Sequence, residues 1–161
     1  FARIWRCRAC NFHCWIMKKN SKYRQGIFVP QNIDKFIGER AVYRSGLELK
    51  FFRFCDMNPK VVRWGSENIK IPYHNPLTRR THRYHIDNYV VIREGELITK
   101  YCVEIKPYSQ TQRPKTKYRK KQHLIYDQKQ YVINQSKWAA ARKYCDGRGY
   151  SFLILTEKEL S

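Results

Sequence analysis

Glu104-Ile105-Lys106 places a carboxylate and an ammonium two residues apart at the end of an apolar, β-branched run that starts near Val103 and closes at Pro107. On a strand, alternation turns Glu104 and Lys106 to one face while Val103 and Ile105 turn to the other. A second carboxylate, Asp87, lies upstream on a segment expected to pair with this strand through a hairpin at Glu94-Gly95, so two carboxylates and a lysine should meet at one point. That set suits hydrolysis of a phosphodiester. The reaction needs a divalent ion to neutralise developing charge and lower the pKa of a bound water, and Mg²⁺ takes one or two carboxylates together with waters and substrate oxygens. Lys106 is placed to orient or deprotonate the attacking water or to stabilise the pentavalent transition state; as a base it must first lose its proton.

The triplet alone is weak evidence, because Glu48-Leu49-Lys50 and Asp127-Gln128-Lys129 have the same form. Those two fall in predicted helices, where residues i and i+2 do not face each other. Taken singly, Glu104 and Lys106 also read as an exposed salt pair of little energetic worth, and Asp87 as an ordinary strand residue. Glu48 has two readings as well. Ser45-Gly46-Leu47-Glu48 matches a capping box, in which Glu48 bonds back to the helix start, whereas as a functional residue it would project from the helix edge toward the metal.

The chain has 161 residues and a formal net charge of +20, with 33 Lys+Arg against 13 Asp+Glu. Such a field attracts polyanions and makes nucleic acid the leading partner, against the plainer reading of a solvated basic surface with general affinity for anions. The charge is uneven: residues 1 to 29 carry no acid, while most acids fall between residues 30 and 106, where the proposed chemistry lies. Arg79, Arg80 and Arg83 lead into Asp87, and Lys115, Lys117, Arg119, Lys120 and Lys121 follow the Glu104–Lys106 motif. With Arg44, these flanking residues are expected to hold phosphates and set register rather than read bases.

No apolar run long enough to span a membrane is present, and the amino terminus lacks a secretory signal pattern, so the chain is expected to stay in a cytoplasm. Cys55, Cys102 and Cys145 are isolated within predicted elements and read as reduced thiols. Cys7, Cys10, His13 and Cys14 contain a Cys-x2-Cys half-site, but structural zinc sites pair two half-sites across a longer loop and no second pair of that kind follows, so zinc is not expected there. The sequence Met17-Lys18-Lys19-Asn20 reads like a natural start, which would make residues 1 to 16 an upstream extension or a processed or partial terminus.

Several elements must position these groups. Residues 18 to 40, polar and basic with Pro30 and Gly38, read as an arm or loop. Leu47, Phe51, Phe54 and Cys55 form the stripe of an amphipathic helix that Asn58-Pro59 ends. Short β-like pieces around 61–64 and 69–73 precede a basic loop from His74 to Thr81. A strand over 82–93 and its hairpin partner over 96–106 follow. Residues 109–122 read as a charged loop or helix entry, residues 123–133 and 135–145 as two helical stretches stopped by Gly147 and Gly149, and residues 150–155 as a final strand. The order helix, strands, helix, strand predicts an α/β layer with a mixed sheet.

Taken in order, Val42-Tyr43-Arg44-Ser45 through Glu48, Phe51 through Asn58-Pro59, Trp64, Ile71-Pro72-Tyr73, His82-Arg83-Tyr84, Asp87, and Val103 to Pro107 with Gln110-Thr111 resemble the head completion nucleases of T-even-type tailed phages. The likeness runs from about Ile27 to Lys115. With Trp138 before a helix and Phe152 to Glu157 near the end, the outline is also similar to the TnsA-type transposon endonucleases, both within the PD-(D/E)xK superfamily. The resemblance implies a restriction-endonuclease-like α/β fold over 27–161, with residues 1–26 as a basic extension or arm, and a central mixed β-sheet flanked by helices. It puts Glu48, Asp87, Glu104 and Lys106 on the active-site positions, with Asp87, Glu104 and Glu48 toward the metal. It also implies Mg²⁺, with Mn²⁺ as an alternative, and trimming of double-stranded DNA ends in phage head completion. By the same resemblance the chain works in the host-cell cytoplasm or with the virion, where portal or neck proteins are candidate partners. The residue before Asp87 is Ile86, where the superfamily often has proline. A TnsA-like role in transposition and a non-catalytic DNA-end-binding role in virion assembly are the alternatives.

Overall fold

The computed structural model describes residues 25–115 and 121–160. In chain order it contains β1 (Gly26–Phe28), a 3-10 turn (Ile33–Lys35), β2 (Phe36–Ile37), β3 (Ala41–Tyr43), α1 (Gly46–Met57), β4 (Val61–Ser66), β5 (Lys70–Asn75), β6 (Arg80–His85), β7 (Asn88–Glu94), β8 (Leu97–Ile105), α2 (Tyr108–Thr111), α3 (Lys121–Asp146) and β9 (Ser151–Leu155). The central sheet is five-stranded in the order β2-β4-β7-β8-β9. Its outer pairs, β2 with β4 and β8 with β9, are parallel, and its inner pairs are antiparallel, so the sheet is mixed as expected. Among the described residues, no helix is long and apolar enough to cross a membrane.

Alternation along β8 sorts the interior into two layers. Tyr101, Val103 and Ile105 face α1 and join Phe51, Phe52, Cys55, Trp64, Val90 and Ile92 in one cluster. Cys102 faces the other way and joins Ala141 and Cys145 of α3 with Ile71, Tyr73, Tyr84 and Ile86. Glu104 shares that second face by register. Trp64 anchors the first cluster, with Phe36 at 4.8 Å, Phe52 at 5.2 Å and Phe28 at 6.0 Å between ring centres.

The expected helix appears with Ser45 as N-cap and Asn58 as its terminal cap. Three readings change. The strand expected over 82–93 is interrupted after His85: β6 pairs only with β5, in a separate two-stranded ribbon, whereas β7 enters the central sheet between β4 and β8. The basic loop expected from His74 to Thr81 narrows to a turn at residues 76–79 between the ends of β5 and β6, with Asn75 Oδ1 accepting from the Leu77 and Thr78 amides and Arg79 in the left-handed region at φ 53°. The two helices expected over 123–145 are one helix of 26 residues, since neither glycine nor proline breaks the chain at their junction.

The segment up to residue 40 is not a free arm where it is described. The fully buried Asp56 carboxylate accepts from the Gln31 and Asn32 amides at 2.9 and 3.0 Å, and Lys35 Nζ bonds the carbonyls of Asp56 and Asn58. One buried acid at the end of α1 thus ties down the turn between β1 and β2, and no sequence pattern near residue 31 announces a partner that far along the chain. The arm expected over residues 1–26 lies outside the described residues except at its last two positions, as does the cluster Cys7, Cys10, His13 and Cys14.

Asp56→Asn removes the charge from those hydrogen bonds while keeping the side chain's shape. A loss of about 1–3 kcal/mol in unfolding free energy is expected. Hydrogen exchange should show residues 31–35 opening before the central sheet; unchanged protection there would refute the tie.

Candidate active site

Asp87 sits in the two-residue gap where the chain leaves the ribbon and enters the sheet. Because Asn88 pairs with Val103, Asp87 falls beside Glu104 at the end of the β7–β8 hairpin. Its Oδ2 accepts from the Ile105 amide at 2.8 Å and lies 3.7 Å from Lys106 Nζ. Lys106 Nζ is 2.9 Å from Glu104 Oε1. The other Glu104 oxygen accepts from the Tyr84 hydroxyl, and Glu104 is only 2% exposed. The strand alternation read from the sequence therefore brings Asp87, Glu104 and Lys106 into one cluster.

Two carboxylates against one ammonium leave negative charge in excess. Burial first, and the charge of Glu104 second, push the Asp87 carboxyl up to about 8, against the opposing pull of Lys106 and the Ile105 amide. Burial works against the Lys106 ammonium, but Asp87 and Glu104 outweigh it and hold its pKa above the ordinary value. Burial, reinforced by Glu104, drives the Tyr84 phenol far above its usual range and keeps it a donor. Backbone, phenol and ammonium thus each contribute one donor to the acid pair.

Glu48 is near enough to act electrostatically on both Asp87 and Lys106, but it is not drawn into their contacts. Its Oε1 accepts from the Ser45 hydroxyl at 2.9 Å, its Oε2 accepts from the Arg44 amide at 2.8 Å, and its own amide donates to Ser45 Oγ. The capping reading describes its contacts. Among the described residues, no group of three His, Cys, Asp or Glu side chains has the geometry to hold a metal, so the acids that converge are Asp87 and Glu104.

Arg44 reaches across to Glu67 in an ion pair. Glu67 follows β4, has φ of 54°, and donates its amide to the Asp87 carbonyl. Arg80 and Arg83 are exposed on β6, Arg79 is exposed in the ribbon turn, and Lys115 and Lys121 are exposed beyond Pro107. Lys117, Arg119 and Lys120 lie outside the described residues.

Sequence reasoning missed two neighbours of the cluster. Tyr84 reads as a packing or stacking tyrosine, and only the ribbon's fold brings its hydroxyl to a carboxylate 20 residues away. Glu67 carries no motif, and its place follows from the register of Ser66 with Asn88. Tyr84→Phe leaves one Glu104 oxygen without its donor, at an expected cost of about 1–3 kcal/mol in stability measured by denaturant unfolding. A variant as stable as the parent would show that this bond contributes nothing.

Comparison with known proteins bears on this geometry. The model of the family described as TnsA-like endonuclease N terminal matches residues 58–157, a span that holds Asp87, Glu104 and Lys106 and begins after Glu48. The chain is 35% identical over 145 residues to the head completion nuclease of Enterobacteria phage T4, covering 84% of this chain and 92% of that protein. No solved structure matches. The resemblance seen in the sequence therefore holds: the chain belongs to the TnsA-like endonuclease family and is a DNA-cleaving enzyme.

Proposed function

We propose that this chain is a Mg²⁺-dependent endonuclease that trims or cleaves double-stranded DNA ends during phage head completion. The observation that carries the reading is the convergence of Asp87 and Glu104 on Lys106, with donors left for only part of their oxygens. Endonucleases of this family generally use a divalent metal, and two carboxylates with excess negative charge fit a hard cation that prefers oxygen ligands. Asp87 and Glu104 would hold it, with Glu48 as an outer member of the same acidic set, and Mn²⁺ would serve in place of Mg²⁺ at such oxygen donors. When bound, the ion supplies charge neutralisation at the scissile phosphate and a water of lowered pKa.

The protein's own groups have separable tasks. Ile105 fixes Asp87 through its amide, and Tyr84 fixes Glu104 through its hydroxyl, so neither carboxylate must be ordered when substrate arrives. Lys106, held charged by both acids, is suited to stabilise charge on the phosphoryl oxygens rather than to act as the base. Arg44, Arg79, Arg80, Arg83, Lys115, Lys117, Arg119, Lys120 and Lys121 are assigned to the DNA backbone. The name and coverage of the T4 relative support the head-completion setting over transposition. Host cytoplasm and virion as locations, and portal or neck proteins as partners, belong to the same reading.

Glu104→Gln and Lys106→Ala should each lower cleavage of linear and supercoiled DNA by about 10²–10⁴-fold while duplex binding persists. EDTA should abolish cutting by the parent protein. Cutting that both variants retain would belong to a contaminant and end the proposal; a non-catalytic end-binding protein would bind DNA and never cut.

The raised Asp87 proton affinity sets a second test. Its folded value of about 8 lies above the ordinary 3.8, so the stability that the proton contributes is full below the ordinary value and fades as pH rises toward 8. An incoming cation must displace that proton. The rise in melting temperature on adding Mg²⁺ is therefore expected to grow from pH 6 to about pH 8 and level off above, and Asp87→Asn should flatten the trend. An equal rise at every pH in the parent would argue against Asp87 as a ligand.

A further inference from the structure

The β5–β6 ribbon carries charge that its packing does not explain. From Asn68 to Ile86 the chain has no acid, yet it holds Lys70, Arg79, Arg80, Arg83 and three histidines. In register, Lys70 pairs with His85, Pro72 with Arg83 and His74 with Thr81, and all six are exposed. Alternating with them, Ile71, Tyr73 and Tyr84 are buried in the layer shared with α3. One face of the ribbon thus anchors it, and the opposite face offers cationic and hydrogen-bonding groups. Among the described residues, none of Lys70, Arg79, Arg80 and Arg83 is in an ion pair.

We infer that this outer face seats in a groove of double-stranded DNA and aligns the phosphate backbone at the groove's edge with Asp87. The inference rests on the nuclease reading above and adds the element that recognises the duplex and the groove it enters. Its dimensions fit: a strand of six residues spans about 20 Å, paired strands lie about 5 Å apart, and a major groove about 12 Å wide admits a two-stranded ribbon. Its chemistry fits a duplex better than a single strand, because platforms for unpaired bases use large aromatic rings and these six positions hold no Phe, Tyr or Trp, their rings being the small imidazoles of His74 and His85.

The ribbon is also fastened to the acid cluster. The Ile86 amide closes the ribbon base on the Ile69 carbonyl at 3.0 Å, and Asp87 follows directly. Tyr84 sits edge-on to Tyr73, lies beneath Lys137 of α3, and donates its hydroxyl to Glu104. A groove contact made by Arg83 is therefore one residue from a side chain that touches the proposed metal ligands.

The test compares Lys70→Gln/Arg83→Gln with Arg53→Gln/Arg93→Gln, which removes the same charge from exposed positions on α1 and at the far end of β7. Binding to a short duplex and to its single strand is measured by fluorescence anisotropy across a salt series in EDTA. The ribbon pair should reduce the slope of log affinity against log salt by about two for the duplex, with a smaller change for the single strand and little change in the control pair. Equal losses in the two pairs, or equal losses on duplex and single strand, would overturn the groove assignment. If the parent cuts DNA and the ribbon pair keeps its slope, the assignment falls while the nuclease reading stands; if the parent neither binds nor cuts, the nuclease reading itself falls.

Discussion

One ammonium shared by two carboxylates is the interaction on which the rest of this fold converges. Lys106 lies within ion-pair distance of Glu104 and Asp87, and Glu104 is almost wholly buried. Burying a carboxylate is costly unless it is paired and hydrogen-bonded, so Glu104 depends on both Lys106 and the Tyr84 hydroxyl. Among the described residues Asp87 has the Ile105 amide and the more distant ammonium, and these do not offset burial and the charge of Glu104, which raise its proton affinity. The cluster is stable as a fold element, yet its charge is incompletely balanced, which is the condition for taking up a cation.

The two-layer core explains how three side chains, one in the gap before β7, one on β8 and one just past its end, are held to such tolerances. Strand β8 packs Tyr101, Val103 and Ile105 against α1, and this fixes the rotation that turns Glu104 to the opposite side. A slip of one residue would exchange the buried acid for Val103 and destroy both layers at once. The α3 layer has a second duty, since the ribbon that carries Tyr84 toward Glu104 rests on it. Packing and chemistry are therefore set by the same register.

How much was legible follows from the range of each interaction. The α1 helix, its cap, the hairpin at Gly95 and the convergence of Asp87 with Glu104 and Lys106 depend on short-range periodicity and one tight turn, and all were readable. Asp56 holding Gln31 and Asn32, Tyr84 reaching Glu104 and Glu67 meeting Arg44 join residues 20 or more apart through the tertiary fold, and no local pattern encodes them. The break at Ile86-Asp87 was hidden for another reason. Its β-branched and aromatic neighbours read as one continuous strand, and only the choice of different partners by β6 and β7 divides it.

A chain of charge +20 with acids at its proposed centre poses a contest between long-range attraction and local repulsion. Surface cations farther than about 8–10 Å from a phosphate are largely screened at physiological salt, so the overall field governs encounter more than final placement. At about 4 Å and an effective dielectric of 20, each bare carboxylate opposes a phosphate by about 4 kcal/mol, and one ammonium offsets only one of two. The basic ribbon and flanks can therefore deliver a duplex to the edge of the cluster without seating its phosphate there. On the proposed assignment, that last approach requires a cation at Asp87 and Glu104, which makes DNA binding and phosphate placement separate events under separate control.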